Sequence, residues 1–484
     1  MDIVPQSFDY FYKQIYENLE SQISDFIAPM NLNFSIFEYD KLCNALSSAM
    51  QNSVCQLIKQ ILEKKDKEFR NSPGRIERYY VKQTRPRTII TVFGEVTYTR
   101  TQYIDRNSKK PFCPVDRSIG LMPKLRYDAC VQAKIYDGYA DSNSMIKVGK
   151  IVGEQVFSHY SSNPARKDHA ISRQTVYNIL KRFNSINVEL KQNENTPDTL
   201  YIMADEKYIP LQQRPEDQRA KPMKQMTKAV VIFEGIKPVI NVDGTPSLRH
   251  VMTGKHHIAS TSGNIWDTVL KDLGEKYDIG KIKKIYCMGD GAGWIVNGTD
   301  TIRGNGPLIN YGIDRFHYYR AMHSLSKNET YRDLLRYYAE HEMQSDFNKM
   351  IKIIESIEGD YSDSQETNIK YLKRFWVAFQ TMNKMIKIGC PMEQVISHVI
   401  SSNFTSVPKA YAKDNLPRYL QARIHLKNGF DLRQLWLQAY DFKLSNDKKE
   451  EIIIRNSNYD FSIFDNNITT DTFHQRIFVN YFRR

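Results

Sequence analysis

The chain has 484 residues, of which 41% are hydrophobic and 12% aromatic, and this composition excludes a disordered polypeptide. The 68 lysines and arginines outnumber the 55 acidic residues and give a formal charge of +13, which predicts a polyanionic partner, with a basic surface kept for solubility as the alternative. The six cysteines form no Cys-x-x-Cys pair, which excludes a zinc ribbon and fits a reducing cytoplasm. No signal peptide and no run of about 18 apolar residues is found, so no membrane span is expected.

The N-terminal region, residues 1–75, is predicted to be helical. Apolar residues recur at steps of three and four between residues 35 and 70, and Pro73 and Gly74 end the pattern. The stripe is most simply a packing face, with a dimer interface as the alternative. It consists of Leu42, Leu46, Met50, Val54, Leu57 and Ile61.

A β-hairpin is predicted over residues 86–104, where β-branched and aromatic residues alternate around Gly94. Lys82, Arg85 and Arg87 lead into it. These cations are candidates for contacts with a DNA backbone, although positive residues also protect a solvated edge strand.

A capped helix is predicted from Ser172 to residue 182, because Ser172 is a favourable N-cap and apolar residues follow at helical spacing. Arg173, Gln174 and Asn178 then project from its outer face, as base-reading side chains do in a recognition helix. We therefore predict a helix-turn-helix-like element at about 150–185, within a DNA-binding region spanning residues 76–198. An ordinary surface helix is the alternative.

From residue 199 the pattern changes to strands at 200–204, 228–233, 249–253, 281–288 and 307–313, with helices at 266–274 and from 316. This order predicts a mixed α/β sheet. His256 and His257 are expected at the surface. The basic residues Arg219, Lys221 and Lys224 precede the second strand and are candidates for tracking a phosphate backbone, with a solvated charged hairpin as the alternative.

Residues 327–385 carry only helical spacing and are predicted to be an all-α insertion. Residues 386–415 form the next predicted unit, and residues 416–484 a C-terminal region of mixed helix and irregular chain.

Two predicted strands end in acids. Asp205 follows the strand at 200–204, and Asp290 follows the strand at 281–288 and precedes Gly291 and Gly293. Carboxylates at strand ends are suited to a shared Mg²⁺ site, and Mg²⁺ in a basic protein suggests chemistry on nucleic acid. A turn residue is the alternative for Asp290, and Glu206 is the alternative ligand to Asp205.

Three blocks of this sequence, in the order in which they occur, resemble the ISLre2 group of bacterial insertion-sequence transposases, the family UPF0236. The blocks are residues 201–211, residues 289–295 with 313–317, and residues 389–408. The hairpin at 87–96, the tripeptide at 233–235 and the dipeptide at 277–278 are also similar. The resemblance covers roughly residues 75–415.

This resemblance implies a DDE transposase with a ribonuclease H-like catalytic core, a mixed five-stranded sheet with helices, whose first part is residues 199–326. It implies Asp205, Asp290 and Glu393 as the catalytic and metal-binding acids, with Glu393 on the final core helix within 386–415. Asp314, His317 and His398 are candidate assisting residues. Two Mg²⁺ ions are implied as cofactors, with Mn²⁺ as an alternative ion.

The implied partners are double-stranded DNA, both as terminal inverted repeats and as target, and further copies of the chain in a homodimer or larger assembly on DNA. The implied location is the bacterial cytoplasm, at the nucleoid. Two alternatives stay open: a degenerate transposase that acts as a DNA-binding regulator, and a host ribonuclease H-like nuclease.

Overall fold

The computed structural model describes residues 13, 16, 17, 20, 35–121, 125–142, 144–157, 170–183, 185–186, 188–212, 223–261, 263–303, 306–385, 392–405 and 410–453. The chain divides into two compact units, Met1–Leu437 and Gln438–Arg484. The described part of the second unit is helical and ends at Ile453. Within the part of the chain that the structure describes, none of the helices combines the length and apolar character needed to cross a bilayer.

The predicted N-terminal helix is confirmed as α1, Ile36–Asn71, and begins with a capping box between Ser35 and Glu38. Its buried face differs from the predicted stripe, because Met50 is 50% exposed while its neighbour Ala49 is buried. The buried face of α1 includes the polar residue Asp66, which the apolar pattern could not predict. Its buried carboxylate accepts hydrogen bonds from the backbone N–H and the hydroxyl of Thr101, at 2.9 and 2.6 Å.

The predicted hairpin is confirmed and is longer than expected. It consists of β1, Tyr79–Thr91, and β2, Gly94–Asp105; β3, Pro111–Phe112, completes an antiparallel sheet. The first half of β1 escaped prediction because exposed side chains follow one another there, without the alternation that marks a half-buried strand. The short helix α2, Arg75–Arg78, precedes this sheet and α3, Pro114–Ser118, follows it.

Three helices follow: α4, Ala129–Ser142; α5, Met145–Phe157; and α6, Arg173–Leu180. Ser172 caps α6 by accepting from the Thr175 N–H at 3.2 Å, as predicted. Gly149 of α5 allows the chain before α6 to approach closely, since a Cβ there would lie 2.2 Å from the Ile171 carbonyl oxygen.

The central sheet contains five strands: β4, Thr199–Pro210; β5, Lys224–Phe233; β8, His256–Ser260; β9, Lys284–Gly289; and β10, Leu308–Ile313. Their order across the sheet is β10-β9-β4-β5-β8. β5 is antiparallel to both β4 and β8, whereas β9 is parallel to β4 and to β10.

The strand predicted at 249–253 is confirmed as part of β7, Pro246–Thr253, but it pairs with β6, Gly235–Ile240, in a separate two-stranded sheet and not in the central sheet. The expectation that His256 and His257 lie at the surface is wrong, because β8 buries both in the central sheet. Partners distant in sequence stabilise them: His256 Nε2 lies 2.9 Å from Asp272 Oδ2, and the backbone N–H of His257 donates to Asn428 at 2.7 Å.

Two helices cover one face of the central sheet. They are α7, Ile265–Lys276, and α8, Gly293–Arg303. Their buried side chains, including Trp266 and Ile295, pack in one cluster with Ile202 of β4 and Cys287 of β9. A 3₁₀-helical turn, Ile279–Lys281, connects α7 to β9. α7 continues past Gly274, the predicted helix end.

Residues 327–385, all of which the structure describes, contain no strand, so the all-helical character predicted for this segment is confirmed. Phe375 separates the last two helices of this segment. The helices from β10 onward are α9, Arg315–His323; α10, Glu329–Glu340; α11, Gln344–Glu358; α12, Asp363–Arg374; and α13, Trp376–Lys384.

The remaining elements start with α14, Met392–Ile396, which packs against β4 and β5. A π-helical stretch, Ser397–Ser401, continues it into α15, Ser402–Phe404. α16, Leu416–Lys427, packs against α4 and β8, and α17 covers Leu432–Ile453.

Candidate active site where β9 and β10 end beside β4

Three aspartates lie side by side across the central sheet. Asp205 lies within β4, which continues past the predicted strand end to Pro210, whereas Asp290 and Asp314 directly follow β9 and β10. Met203 of β4 pairs with Met288 of β9, so continuing this parallel register by two residues places Asp205 beside Asp290. Ile313 of β10 pairs with Gly289, which places Asp314 on the other side of Asp290. Adjacent strands are about 4.8 Å apart. Asp205, Asp290 and Asp314, here termed the acid row, therefore come from three neighbouring strands.

Each aspartate of the acid row is oriented by a nearby backbone N–H. One carboxylate oxygen of Asp205 accepts from its neighbour Glu206 at 2.6 Å, and one of Asp290 accepts from Ala292 at 2.9 Å. Asp314 is the N-cap of α9, and its second oxygen lies 2.6 Å from Nδ1 of His317. The described contacts of Asp205 and Asp290 thus use one oxygen of each carboxylate.

The acid row concentrates negative charge in a partly buried place. Burial raises the pKa of Asp205 to about 6, and the charge of Asp290 acts in the same direction, against the Glu206 N–H and His317. The hydrogen bond to Asp314 raises the pKa of His317 above its usual range, with a further contribution from the charge of Asp290. A cation beside Asp205 and Asp290 would relieve their repulsion.

The turn after β9 requires glycine. Gly291 has φ +94°, and a Cβ there would lie 2.8 Å from the ring of Phe375. A Cβ at Gly289 would lie 2.8 Å from Ile295. The backbone carbonyl oxygen of Asp290, in this turn, accepts a hydrogen bond from the Tyr371 hydroxyl at 2.9 Å.

Glu206 is directed away from the acid row. Side chains alternate along a strand, so Glu206 and Asp205 point to opposite faces of the sheet. The carboxylate of Glu206 accepts a hydrogen bond from Trp294 Nε1, and Lys228 lies opposite Glu206 with Nζ 5.3 Å from the centre of the Trp294 ring. This arrangement favours Asp205 over Glu206 as a ligand in the row.

Glu393 is not brought into the acid row. It lies exposed on α14, the helix that packs against the strand carrying Asp205, while Met392 and Val395 are buried. Across the described residues, no three acidic, histidine or cysteine side chains lie close enough together to hold a metal ion. The role of Glu393 stays a prediction. His398 is exposed on the π-helical stretch that follows α14.

The hard oxygens of Asp205 and Asp290 fit a Mg²⁺ ion as two carboxylate ligands.

The structure adds Tyr371 to the residues of the candidate site. Its contact with Asp290 was missed from the sequence, because nothing in the local sequence distinguishes Tyr371 from other aromatic residues of the helical segment.

Several candidate DNA-binding residues are exposed. Arg173, Gln174 and Asn178 lie on the outer face of α6, where Gln174 donates to Asn178 at 2.9 Å. Exposed cations at the hairpin and at the start of β5 are Lys82, Arg85 and Lys224. Arg219 and Lys221 lie outside the described residues.

Arg87 differs from the other candidate cations of the hairpin. Its side chain is only 12% exposed and forms an ion pair with buried Asp116, and it donates to the Leu125 carbonyl oxygen at 2.9 Å. The expected contact with DNA is corrected accordingly: the guanidinium of Arg87 is used inside the domain, because Asp116 requires a counter-ion there.

Comparisons with known proteins give two kinds of similarity. Two UPF0236 proteins of Caldanaerobacter subterraneus subsp. tengcongensis are each 26% identical to the chain, over 419 and 412 residues, covering 83% and 82% of this chain and 81% of each relative. The Drosophila P element transposase strand transfer complex matches 68% of this chain and 83% of its own chain, at 10% identity and a TM-score of 0.20, which is too low to show a common fold. The model of the uncharacterised protein family UPF0236 matches residues 33–439. This chain therefore belongs to the family UPF0236.

Proposed function

We propose that this protein is a DDE-type transposase of the ISLre2 group, which binds the ends of its own insertion sequence and cleaves and joins DNA strands with Mg²⁺. The observation that carries the proposal is the acid row, where Asp205 and Asp290 adjoin on parallel strands in a chain of net charge +13. Such a pair suits a metal ion acting on a phosphodiester.

The arrangement of the central sheet supports this proposal. In chain order its strands are β4, β5, β8, β9 and β10, so β4 is the first and β9 the fourth. The ribonuclease H-like core implied by the sequence resemblance has its first acid on the first strand and its second acid at the end of the fourth. Asp205 and Asp290 occupy these places.

The names of the relatives give independent support. The name of one Caldanaerobacter protein covers eleven loci of a single strain, and the name of another covers four. A gene repeated at many loci of one genome is typical of a mobile DNA element.

Asp205 and Asp290 would hold Mg²⁺, whereas Glu393, the third ligand that the resemblance implies, lies outside the acid row in this structure. When bound, Mg²⁺ supplies charge stabilisation for the attacking and leaving oxygens of a phosphodiester. Asp314 raises the pKa of His317, which favours the protonated imidazole, and in that form His317 would offset negative charge on a phosphate approaching the acid row.

DNA recognition would use the exposed outer face of α6 for base edges and the exposed cations of β1 for phosphates. Joining two element ends requires two or more copies of the chain on DNA. The functional location would be the nucleoid in a bacterial cytoplasm.

Nicking of a duplex that carries an end of the element tests the proposal. Purified protein with Mg²⁺ is expected to nick this duplex, and Asp205→Asn or Asp290→Asn is expected to abolish nicking while end binding persists. Asp300→Asn is the matched control, because Asp300 is an exposed acid of α8 paired only with the exposed Arg303. Nicking that survives in both acid-row variants would refute the proposal.

A DNA-binding regulator without catalytic activity is the second candidate. The observation that favours it is the lack, within the described ranges, of a three-residue metal cluster. The same assay separates the two functions, since a regulator binds the element end without nicking it and binds unchanged after Asp290→Asn.

A further inference from the structure

The all-helical segment that follows α9 is connected directly to the acid row. Tyr371 of α12 donates its hydroxyl hydrogen to the backbone carbonyl oxygen of Asp290 at 2.9 Å, across 81 positions of sequence. This bond fixes the backbone of the residue at the centre of the row.

The aromatic side chain of Phe375, the residue that follows α12, supports the same turn. Phe375 lies four residues after Tyr371, and the two ring centroids are 5.0 Å apart. The ring of Phe375 faces Gly291, where an added Cβ would lie 2.8 Å away, and it also lies 6.1 Å from the ring of Tyr311 on β10. Tyr371 and Phe375, here termed the aromatic clamp, therefore contact consecutive residues of the turn.

The aromatic clamp is anchored to the helix that begins at Asp314. The hydroxyl of Tyr318, on α9, donates to the Leu372 carbonyl oxygen at 3.0 Å, and its ring lies 6.3 Å from that of Tyr371. Burial, followed by the charges of Asp290 and Asp314, raises the pKa of Tyr371 above its ordinary value. The hydroxyl therefore stays protonated and remains a donor at neutral pH.

We infer that Tyr371 is a positioning residue for Asp290, and that the helical segment thereby controls the geometry of the acid row. The expected effect on activity rests on the proposed function, whereas the expected effect on the backbone of the turn does not. The hydroxyl contacts the backbone of Asp290 and leaves the carboxylate accessible, so its loss should impair the chemical step and leave DNA affinity unchanged.

Tyr371→Phe tests this inference because it removes the hydroxyl and keeps the ring. Tyr361→Phe is the matched control, since the Tyr361 hydroxyl donates to the Ile351 carbonyl oxygen at 2.8 Å within the same helical segment, away from the acid row. The first readout is amide hydrogen exchange of residues 289–293 in the full-length protein. Exchange there is expected to become about fivefold faster in Tyr371→Phe, the effect of losing one hydrogen bond, and to stay unchanged in Tyr361→Phe.

The second readout is nicking, with kcat expected to fall several-fold in Tyr371→Phe while the KM for DNA stays the same. Unchanged exchange in Tyr371→Phe, or equal acceleration in both variants, would overturn the inference. If the wild-type protein does not nick DNA, the proposed function fails and hydrogen exchange still decides the role of Tyr371. Should Tyr371→Phe not fold, Gly291→Ala pushes the same turn against Phe375 of the aromatic clamp, and unchanged exchange there would also overturn the inference.

Discussion

Replacing Arg87 should destabilise the hairpin domain and should not act mainly on DNA binding. Its guanidinium forms an ion pair with Asp116, whose side chain is 7% exposed and which also accepts from the Tyr98 hydroxyl at 2.6 Å. Arg100 Nε lies 3.2 Å from the same carboxylate. Arg87→Met leaves Asp116 with these two partners, so the expected loss is toward the lower end of the roughly 3–5 kcal/mol that breaking a buried ion pair costs. Asp116→Asn removes the carboxylate that pairs with both Arg87 and Arg100 and should cost more, about 4–5 kcal/mol.

Urea unfolding followed by circular dichroism measures both effects as a shift of the transition midpoint at an unchanged slope. Lys82→Met is the matched control, because Lys82 is an exposed cation on the same strand and its loss should change stability by less than about 0.5 kcal/mol. If Arg87→Met unfolds at the same urea midpoint as Lys82→Met and binds DNA more weakly, the assignment of Arg87 to the interior is refuted.

Gly298→Ala is expected to destabilise the protein by roughly 3 kcal/mol or more in thermal unfolding, because the new Cβ would lie 1.8 Å from the buried indole of Trp266. Gly293→Ala is the control in the same helix, since its Cβ meets no atom within 4 Å and the change should be near neutral. Burial lowers the pKa of His257 from its ordinary 6.5 to about 4, so the neutral, folded form has its full stability above pH 6.5 and loses it progressively as the pH falls from 6.5 to about 4. By pH 5 this loss is about 2 kcal/mol, and His257→Gln should lose that much less stability than the wild type between pH 7.5 and 5 in urea titrations. Replacing both Arg173 and Gln174 with Ala should reduce discrimination between element end and random duplex by about 1–3 kcal/mol per lost base contact, and an equal loss on both duplexes would assign the two residues to phosphates.

The buried strands of the central sheet were predictable because their apolar runs end abruptly at acids or glycines. β9 is an example, since five of its six residues are uncharged and Asp290 follows it directly. β8 was missed because it begins with two histidines, whose burial depends on Asp272 and Asn428, residues that only tertiary packing brings near.

The candidate site was predictable to the same extent. A strand followed by an acid is a local pattern, and it identified Asp205 and Asp290 as candidates before their register was known. The contact between Tyr371 and Asp290 was not predictable, because it depends on how α12 packs against the sheet. The buried face of α1 escaped for a similar reason, since the polar Asp66 lies on the buried side to bind β2.

A crystal structure of the protein with Mn²⁺ in place of Mg²⁺, in which anomalous scattering locates the ion, shows whether the acid row binds metal. We expect an ion bound to carboxylate oxygens of both Asp205 and Asp290, at about 2.1 Å. A preparation that nicks the element end but binds no Mn²⁺ between these two side chains would contradict this expectation.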